Sequence, residues 1–179
     1  MGDWVALLRG VNLGGVNAVP MAALRGLAAG LGWRRLQSYI ASGNLTFRAE
    51  GQADALAAQL RAAMVAAMAV DVPILVLPGD TVRATLAACP FAPERGKDVH
   101  VFFLWSPPVI NVALRDSLIA PSETLLVQPT RAWLHAPDGF GRSKLVEKLD
   151  KVISGTQMTA RNLNTLRKLV QMLDEAGPG

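Results

Sequence analysis

The feature that most constrains the fold is an alternation of two kinds of segment along the first 78 residues. Short apolar segments are typical of strands, and alanine- and leucine-rich segments repeat apolar residues at helical spacing. The predicted strands are Trp4–Leu8, Leu36–Ala41, Leu45–Arg48 and Val72–Leu77, and the predicted helices are Met21–Leu31 and Gln52–Ala69. The order β-α-β-β-α-β is that of the split βαβ, or ferredoxin-like, motif.

The second part of the chain is less regular, and from Val99 onward the predicted order is β-α-β-β-α, close to that of the first half. The predicted helices are Thr81–Ala88, Val109–Leu118, Ser143–Val152 and Arg161–Glu175, the last one capped by Thr159, and the predicted strands are Val99–Leu104, Glu123–Val127 and Ala132–His135. The sequence thus predicts an α+β fold of two ferredoxin-like units with antiparallel sheets, the second degraded. The predicted domains are residues 1–78 and 79–179.

The positive charge of the chain is concentrated in its C-terminal third. The formal net charge is +4, and basic residues outnumber acidic ones between Arg131 and Lys168. Such a surface either attracts phosphates or consists of ordinary solvated helix faces. Because Cys89 is alone and neither a signal peptide nor a membrane span is visible, we expect a cytoplasmic protein.

A Gly/Asn loop, residues 9–17, follows the first predicted strand. Its candidate ligand-binding residues are Arg9, Asn12, Gly14, Gly15 and Asn17. Glycines let a ligand approach the backbone, and arginine offers paired donors to a phosphate or carboxylate. The loop matches neither the dinucleotide fingerprint nor the P-loop. The alternative is that Asn12 and Asn17 hydrogen-bond the backbone of their own loop.

A basic segment, Arg142-Ser143-Lys144, follows two glycines and precedes a predicted helix. Cations at a helix N-terminus are unfavourable for the helix, so a bound anion would compensate them. The alternative compensation is an acidic side chain such as Asp138.

A further polar cluster comprises Arg161, Asn162 and Thr165. On a helix these side chains would share one edge. They would then either complete an anion site with Lys144 or dock the helix through buried hydrogen bonds.

Ser42-Gly43-Asn44 has the composition of a hairpin turn. We expect strands one and three of the sheet to run parallel. This arrangement would place the hairpin turn and the Gly/Asn loop at opposite sheet ends, roughly 17–20 Å apart. Arg9 and Asn44 are therefore not expected to share one small-molecule pocket.

Several motifs together resemble the bacterial domain-of-unknown-function family numbered 1697. They are Ala6 to Gly15, Val19-Pro20-Met21, Tyr39 to Phe47, Gly141 to Leu145 and Thr159 to Thr165. The resemblance implies two ferredoxin-like units and implies no established substrate, cofactor or reaction. One departure is Leu163, where the family often has Trp.

The sequence lacks a recognisable catalytic or metal-binding pattern. His100 and His135 each lie alone in apolar strand context, and no H-E-x-x-H, C-x-x-C or G-x-S-x-G motif is present. No cofactor is expected, and the oligomeric state is open. The leading hypothesis is binding of a phosphate-bearing ligand, a nucleotide or nucleic acid. The alternatives are an enzyme acting on a phosphorylated or acyl substrate between the two units, and a structural protein without a ligand.

Overall fold

The computed structural model describes residues 1–175 and divides into two compact units. Unit 1 comprises Met1–Ala87 together with the C-terminal helix from Leu166, and unit 2 comprises Ala88–Thr165. The predicted domain boundary between Pro78 and Gly79 lies within unit 1, where a helix follows a strand directly. No helix within residues 1–175 is both long and apolar enough to cross a membrane.

Residues 1–87 of unit 1 form the predicted β-α-β-β-α-β order, followed by one more helix. The elements are β1 (Gly2–Leu8), α1 (Met21–Gly30), β2 (Arg34–Tyr39), β3 (Asn44–Ala49), α2 (Ala53–Met68), β4 (Ile74–Pro78) and α3 (Gly79–Ala87). The strands form one antiparallel sheet in the order β2-β3-β1-β4. The α+β class and the antiparallel sheet are thus confirmed.

One prediction about this sheet is wrong, because β1 and β3 run antiparallel. The connection through α1 makes β2 parallel to β1, and the hairpin then reverses β3. Leu7 pairs with Asn44, so the end of β1 and the start of β3 lie at the same end of the sheet. The Gly/Asn loop and the hairpin turn are therefore neighbours.

The core of unit 1 lies between one face of the sheet and helices α1 and α2. Alternate residues of β3 point into it, which is the period that a strand imposes. Phe47 stacks on Trp33 with ring centroids 4.0 Å apart. The buried core residues from the two helices are Leu24, Ala28, Leu56, Leu60 and Met64. Burial of this apolar face stabilises the unit by roughly 25 cal/mol per Å² removed from water.

Unit 2 contains a second four-stranded antiparallel sheet, in the order β10-β5-β8-β7. Its elements are β5 (Val99–Leu104), β6 (Val109–Ile110), α4 (Val112–Leu118), β7 (Thr124–Val127), β8 (Arg131–His135), α5 (Lys144–Glu147), α6 (Leu149–Val152), β9 (Ile153–Ser154) and β10 (Met158–Asn162). Short 3-10 helices span Gly96–Asp98 and Phe140–Arg142. The strand order is equivalent to that of unit 1. The difference lies in the helices, which are shorter in unit 2.

Two helix predictions in this region are wrong. Residues 143–152 form two four-residue helices in place of one. Residues 159–162 belong to β10, which pairs with β5, and the last helix, α7, spans Leu163–Glu175. The side chain of Asn162 accepts a hydrogen bond from the Thr165 N–H at 2.9 Å, so Asn162 takes the capping role that was predicted for Thr159.

Candidate functional site

The side chain of Asn12 is fully used in holding the Gly/Asn loop. Its Nδ2 group donates to the carbonyl oxygens of Val19, at 2.9 Å, and Ala41, at 2.7 Å. Its Oδ1 atom accepts from the N–H of Val19 at 2.7 Å. Asn12 itself has a φ of +55°, which asparagine tolerates better than most residues. The alternative of backbone stitching therefore describes Asn12.

Asn17 serves the same purpose from the other side of the loop. Its Nδ2 group donates to the carbonyl oxygen of Gly10 at 3.0 Å, and its own carbonyl accepts from the N–H of Asn12. Gly14 and Gly15 form the exposed tip, both with positive φ, as a two-residue type I′ turn requires. Arg9 is exposed, and its side chain has no hydrogen bond or ion pair within residues 1–175.

The hairpin turn is hydrogen-bonded to the Gly/Asn loop and to the end of β1. The Gly43 carbonyl accepts from the Leu8 N–H at 2.9 Å, next to the bond between Asn12 and Ala41. Gly43 has a φ of +81°, and a Cβ atom there would lie 2.6 Å from the Cβ of Leu8. Buried Asn44 donates to the Tyr39 carbonyl at 3.0 Å. The expected separation of the two motifs is therefore wrong.

The basic segment of unit 2 lines an open depression of about 340 Å³. Arg142, Ser143 and Lys144 contribute to it together with residues from two other segments, Ser117, Leu118, Ala120, Glu123, Asp138 and Gly139. A second depression of about 340 Å³ shares Asp138, Gly139 and Arg142 with the first, and adds Arg95, Lys97, Asp98 and Phe140. We call the two together the unit 2 basic depression.

The acidic side chains around the unit 2 basic depression already have partners. Asp138 accepts from the Ser122 hydroxyl at 2.6 Å, and Glu123 accepts from the Ala120 N–H at 2.9 Å. Asp98 is buried and pairs with Arg95 at 2.7 Å. Asp138 is exposed, and the donors to Asp138 and Glu123 are neutral, so of these three carboxylates only Asp98 is paired with a cation.

Three cations that line the same depression have no carboxylate partner within residues 1–175. Within residues 1–175, Lys97, Arg142 and Lys144 have no carboxylate within 4.0 Å. Arg142 and Lys144 are both exposed. The residues that line the depression thus comprise four cations, Arg95, Lys97, Arg142 and Lys144, and three carboxylates, Asp98, Glu123 and Asp138, a formal excess of one positive charge.

The expected helix N-terminus contributes little here. Helix α5 has only four residues, and the Ser143 hydroxyl accepts from the Val146 N–H at 3.1 Å. This internal cap satisfies the backbone without an anion.

The remaining predicted residues lie on β10 and at the start of α7, and they do not line the depression. Arg161 is 7% exposed and donates to the Thr159 hydroxyl, at 2.9 Å, and to the Ala160 carbonyl, at 2.8 Å. Burial lowers the pKa of Arg161 to about 10, so it stays charged at neutral pH. Asn162 caps α7, Thr165 is buried, and none of the three residues lines the depression that Lys144 lines.

The rim of the depression includes an aromatic contact that no sequence pattern predicts. Phe140 stacks on the ring of His100 with centroids 3.7 Å apart. The Nδ1 atom of His100 is buried without a hydrogen-bond partner, and burial lowers the pKa of this residue to about 4. The imidazole is therefore neutral at physiological pH and packs against the segment that carries Arg142. Within residues 1–175, no group of His, Cys, Asp and Glu is arranged to hold a metal.

Comparison with known proteins places the chain in a family. The family described as "Protein of unknown function (DUF1697)" matches residues 1–125. A solved structure, that of the conserved bacterial protein SP0830 from Streptococcus pneumoniae, is similar with a TM-score of 0.72 and 26% identity, over 96% of this chain and 98% of that chain. No match is found among the curated proteins. With most of its length matched by the family and its fold shared with a solved bacterial protein, the chain belongs to the DUF1697 family.

Proposed function

We propose that the unit 2 basic depression binds a small phosphate-bearing ligand of the nucleotide class. The observation that carries this proposal is the charge distribution around the depression: Asp98 is paired with Arg95, whereas Lys97, Arg142 and Lys144 have no carboxylate within 4.0 Å in the described chain, and cations outnumber carboxylates by four to three. Cations that are not ion-paired and lie around a concave surface can donate charge-assisted hydrogen bonds to an anion and stabilise it once bound.

The depression suits a small ligand. Its two parts have about 340 Å³ each, which is within the range of small-molecule sites. Arg142 lines both parts and can donate two parallel hydrogen bonds to one phosphate. Lys144 adds a point charge in the first part and Lys97 in the second. Phe140 offers an apolar ring beside them, against which the uncharged part of a ligand can pack.

The Gly/Asn loop has a different role in this proposal. The polar groups of Asn12 and Asn17 are directed to the backbone, so these residues support the fold of unit 1. Within this loop, Arg9, the glycine tip and the exposed side chains of Leu13 and Val16 remain open to a ligand.

The test is a titration of the protein with adenosine diphosphate and with pyrophosphate, followed by calorimetry and by the amide NMR signals of residues 139–144. We expect saturable binding that perturbs these signals and weakens about tenfold or more in Arg142→Ala/Lys144→Ala. The control is Lys148→Ala/Lys151→Ala, which removes the same charge from exposed lysines outside the depression.

Equal weakening of ligand binding in both double variants would show that affinity depends only on the net charge of the protein, and would contradict the proposal. So would binding that leaves the signals of residues 139–144 unchanged. Loss of affinity only in Arg142→Ala/Lys144→Ala, at an unchanged melting temperature, would support it.

A further inference from the structure

A second cluster of basic residues lies in unit 1, on strands β2 and β3. Arg34, Arg35 and Arg48 line an open depression of about 480 Å³, together with Met1. We call it the arginine depression. None of its lining residues is acidic.

A β-bulge brings these three arginines together. Arg34 pairs with Arg48 across β2 and β3, but Gln37 pairs with Thr46, so β2 carries one extra residue between the two pairs. That stretch includes Arg35, whose φ of +51° is unusual for a non-glycine residue. Bulges re-aim side chains, and here the result is two consecutive arginines at one depression.

The arrangement concentrates like charges. Arg34 and Arg48 are direct cross-strand neighbours, a position in which equal charges repel. Asp3, from β1, lies 3.0 Å from the Arg48 Nε atom and is the carboxylate paired with this group. The buried Nε–H of Arg48 is nevertheless not aligned for a hydrogen bond. Arg34 is exposed and has no hydrogen bond or ion pair within residues 1–175.

From this geometry we infer that the arginine depression is a second anion site, which binds a phosphate group through the guanidinium groups of Arg34, Arg35 and Arg48. A tetrahedral oxyanion presents several acceptor oxygens, which match guanidinium donors that converge from two strands. A bound phosphate would also relieve the repulsion between Arg34 and Arg48. This site is separate from the unit 2 basic depression and does not depend on it.

The experiment uses pyrophosphate as the probe and the Arg142→Ala/Lys144→Ala protein as the background. In an NMR titration at 150 mM NaCl, we expect saturable shifts of the amide signals of residues 34, 35 and 48. Adding Arg34→Gln should raise the dissociation constant about tenfold, the usual scale for a lost charge-assisted hydrogen bond. Arg167→Gln, an exposed arginine of α7 outside the depression, removes the same charge and should change it less than about twofold.

Two results would overturn the inference. One is the absence of saturable shifts at residues 34, 35 and 48. The other is equal weakening by Arg34→Gln and Arg167→Gln, which would mean a diffuse charge effect. The unit 2 proposal fails separately, because its signals are those of residues 139–144 in the protein with Arg142 and Lys144 intact.

Discussion

At the scale of single residues, Gly43 shows how a glycine can be required for two reasons at once. Its φ of +81° disfavours any side chain, and an added Cβ would lie 2.6 Å from Leu8 and 2.9 Å from Val11. We expect Gly43→Ala to lower the free energy of unfolding by about 2–4 kcal/mol, from backbone strain and overpacking together. The measurement is chemical denaturation.

The matched control for this substitution is Gly14→Ala. Gly14 has a φ of +56°, but a Cβ there would meet nothing within 4 Å. This change carries the backbone cost alone, about 1 kcal/mol. Equal losses in the two variants would show that contact with Leu8 and Val11 does not matter.

At the scale of the element, the start of α7 depends on Asn162. Its side chain accepts from the Thr165 N–H, whereas Thr159 lies within β10. Asn162→Ala should therefore cost about 0.5–2 kcal/mol of stability, the usual cost of a lost N-cap. Asn164→Ala, at an exposed position in the first turn, should stay within about 0.5 kcal/mol of the wild type. Thermal and urea denaturation would measure both, and a larger loss for Asn164→Ala would contradict this position for the helix start.

The elements also show what can be predicted from the sequence. Long periodic segments such as α2 and clearly apolar ones such as β5 are predicted correctly, because their pattern is local. Strand β10 is missed because five residues containing Arg and Asn carry little strand signal, and pairing with β5 decides their conformation. Helix Ser143–Val152 is predicted as one helix but breaks into two at Lys148.

The candidate sites are less predictable than the elements. Arg142 and Lys144 are two positions apart in one segment and are therefore identified from the sequence, whereas Arg95 and Lys97 line the same depression from a distant segment. The arginine depression depends on a bulge, which the sequence does not mark. An Arg-Arg pair beside a predicted strand is the one local signal that was available. The other features of the two sites depend on strand pairing and contacts between residues that are far apart in the sequence.

At the scale of the whole molecule, stability at acid pH depends on His100. Burial lowers its pKa to about 4, against about 6.5 in an unfolded chain. Because the unfolded state binds this proton first, the stabilising contribution is present above pH 6.5 and is lost as the pH falls towards 4. The loss is on the order of 2–3 kcal/mol. His100→Gln removes this titration, so its stability should fall less over the same pH range.

Urea denaturation between pH 7 and pH 4 tests this expectation. The informative quantity is the difference between the wild type and His100→Gln at each pH, because the carboxylates contribute equally to both. A difference that does not change with pH would show that His100 is protonated as easily in the folded state as in the unfolded chain.

The interlocked loops of unit 1 have a consequence for how this sequence can vary. Asn12 is hydrogen-bonded to Ala41, and Leu8 is hydrogen-bonded to Gly43. Two segments some thirty positions apart in the sequence are therefore held together as one structural unit. A chimera that inherits residues 9–19 from one parent and residues 39–44 from another would combine halves shaped for different partners. We therefore expect chimeras that take both segments from one parent to fold. Chimeras that take the two segments from different parents should be destabilised.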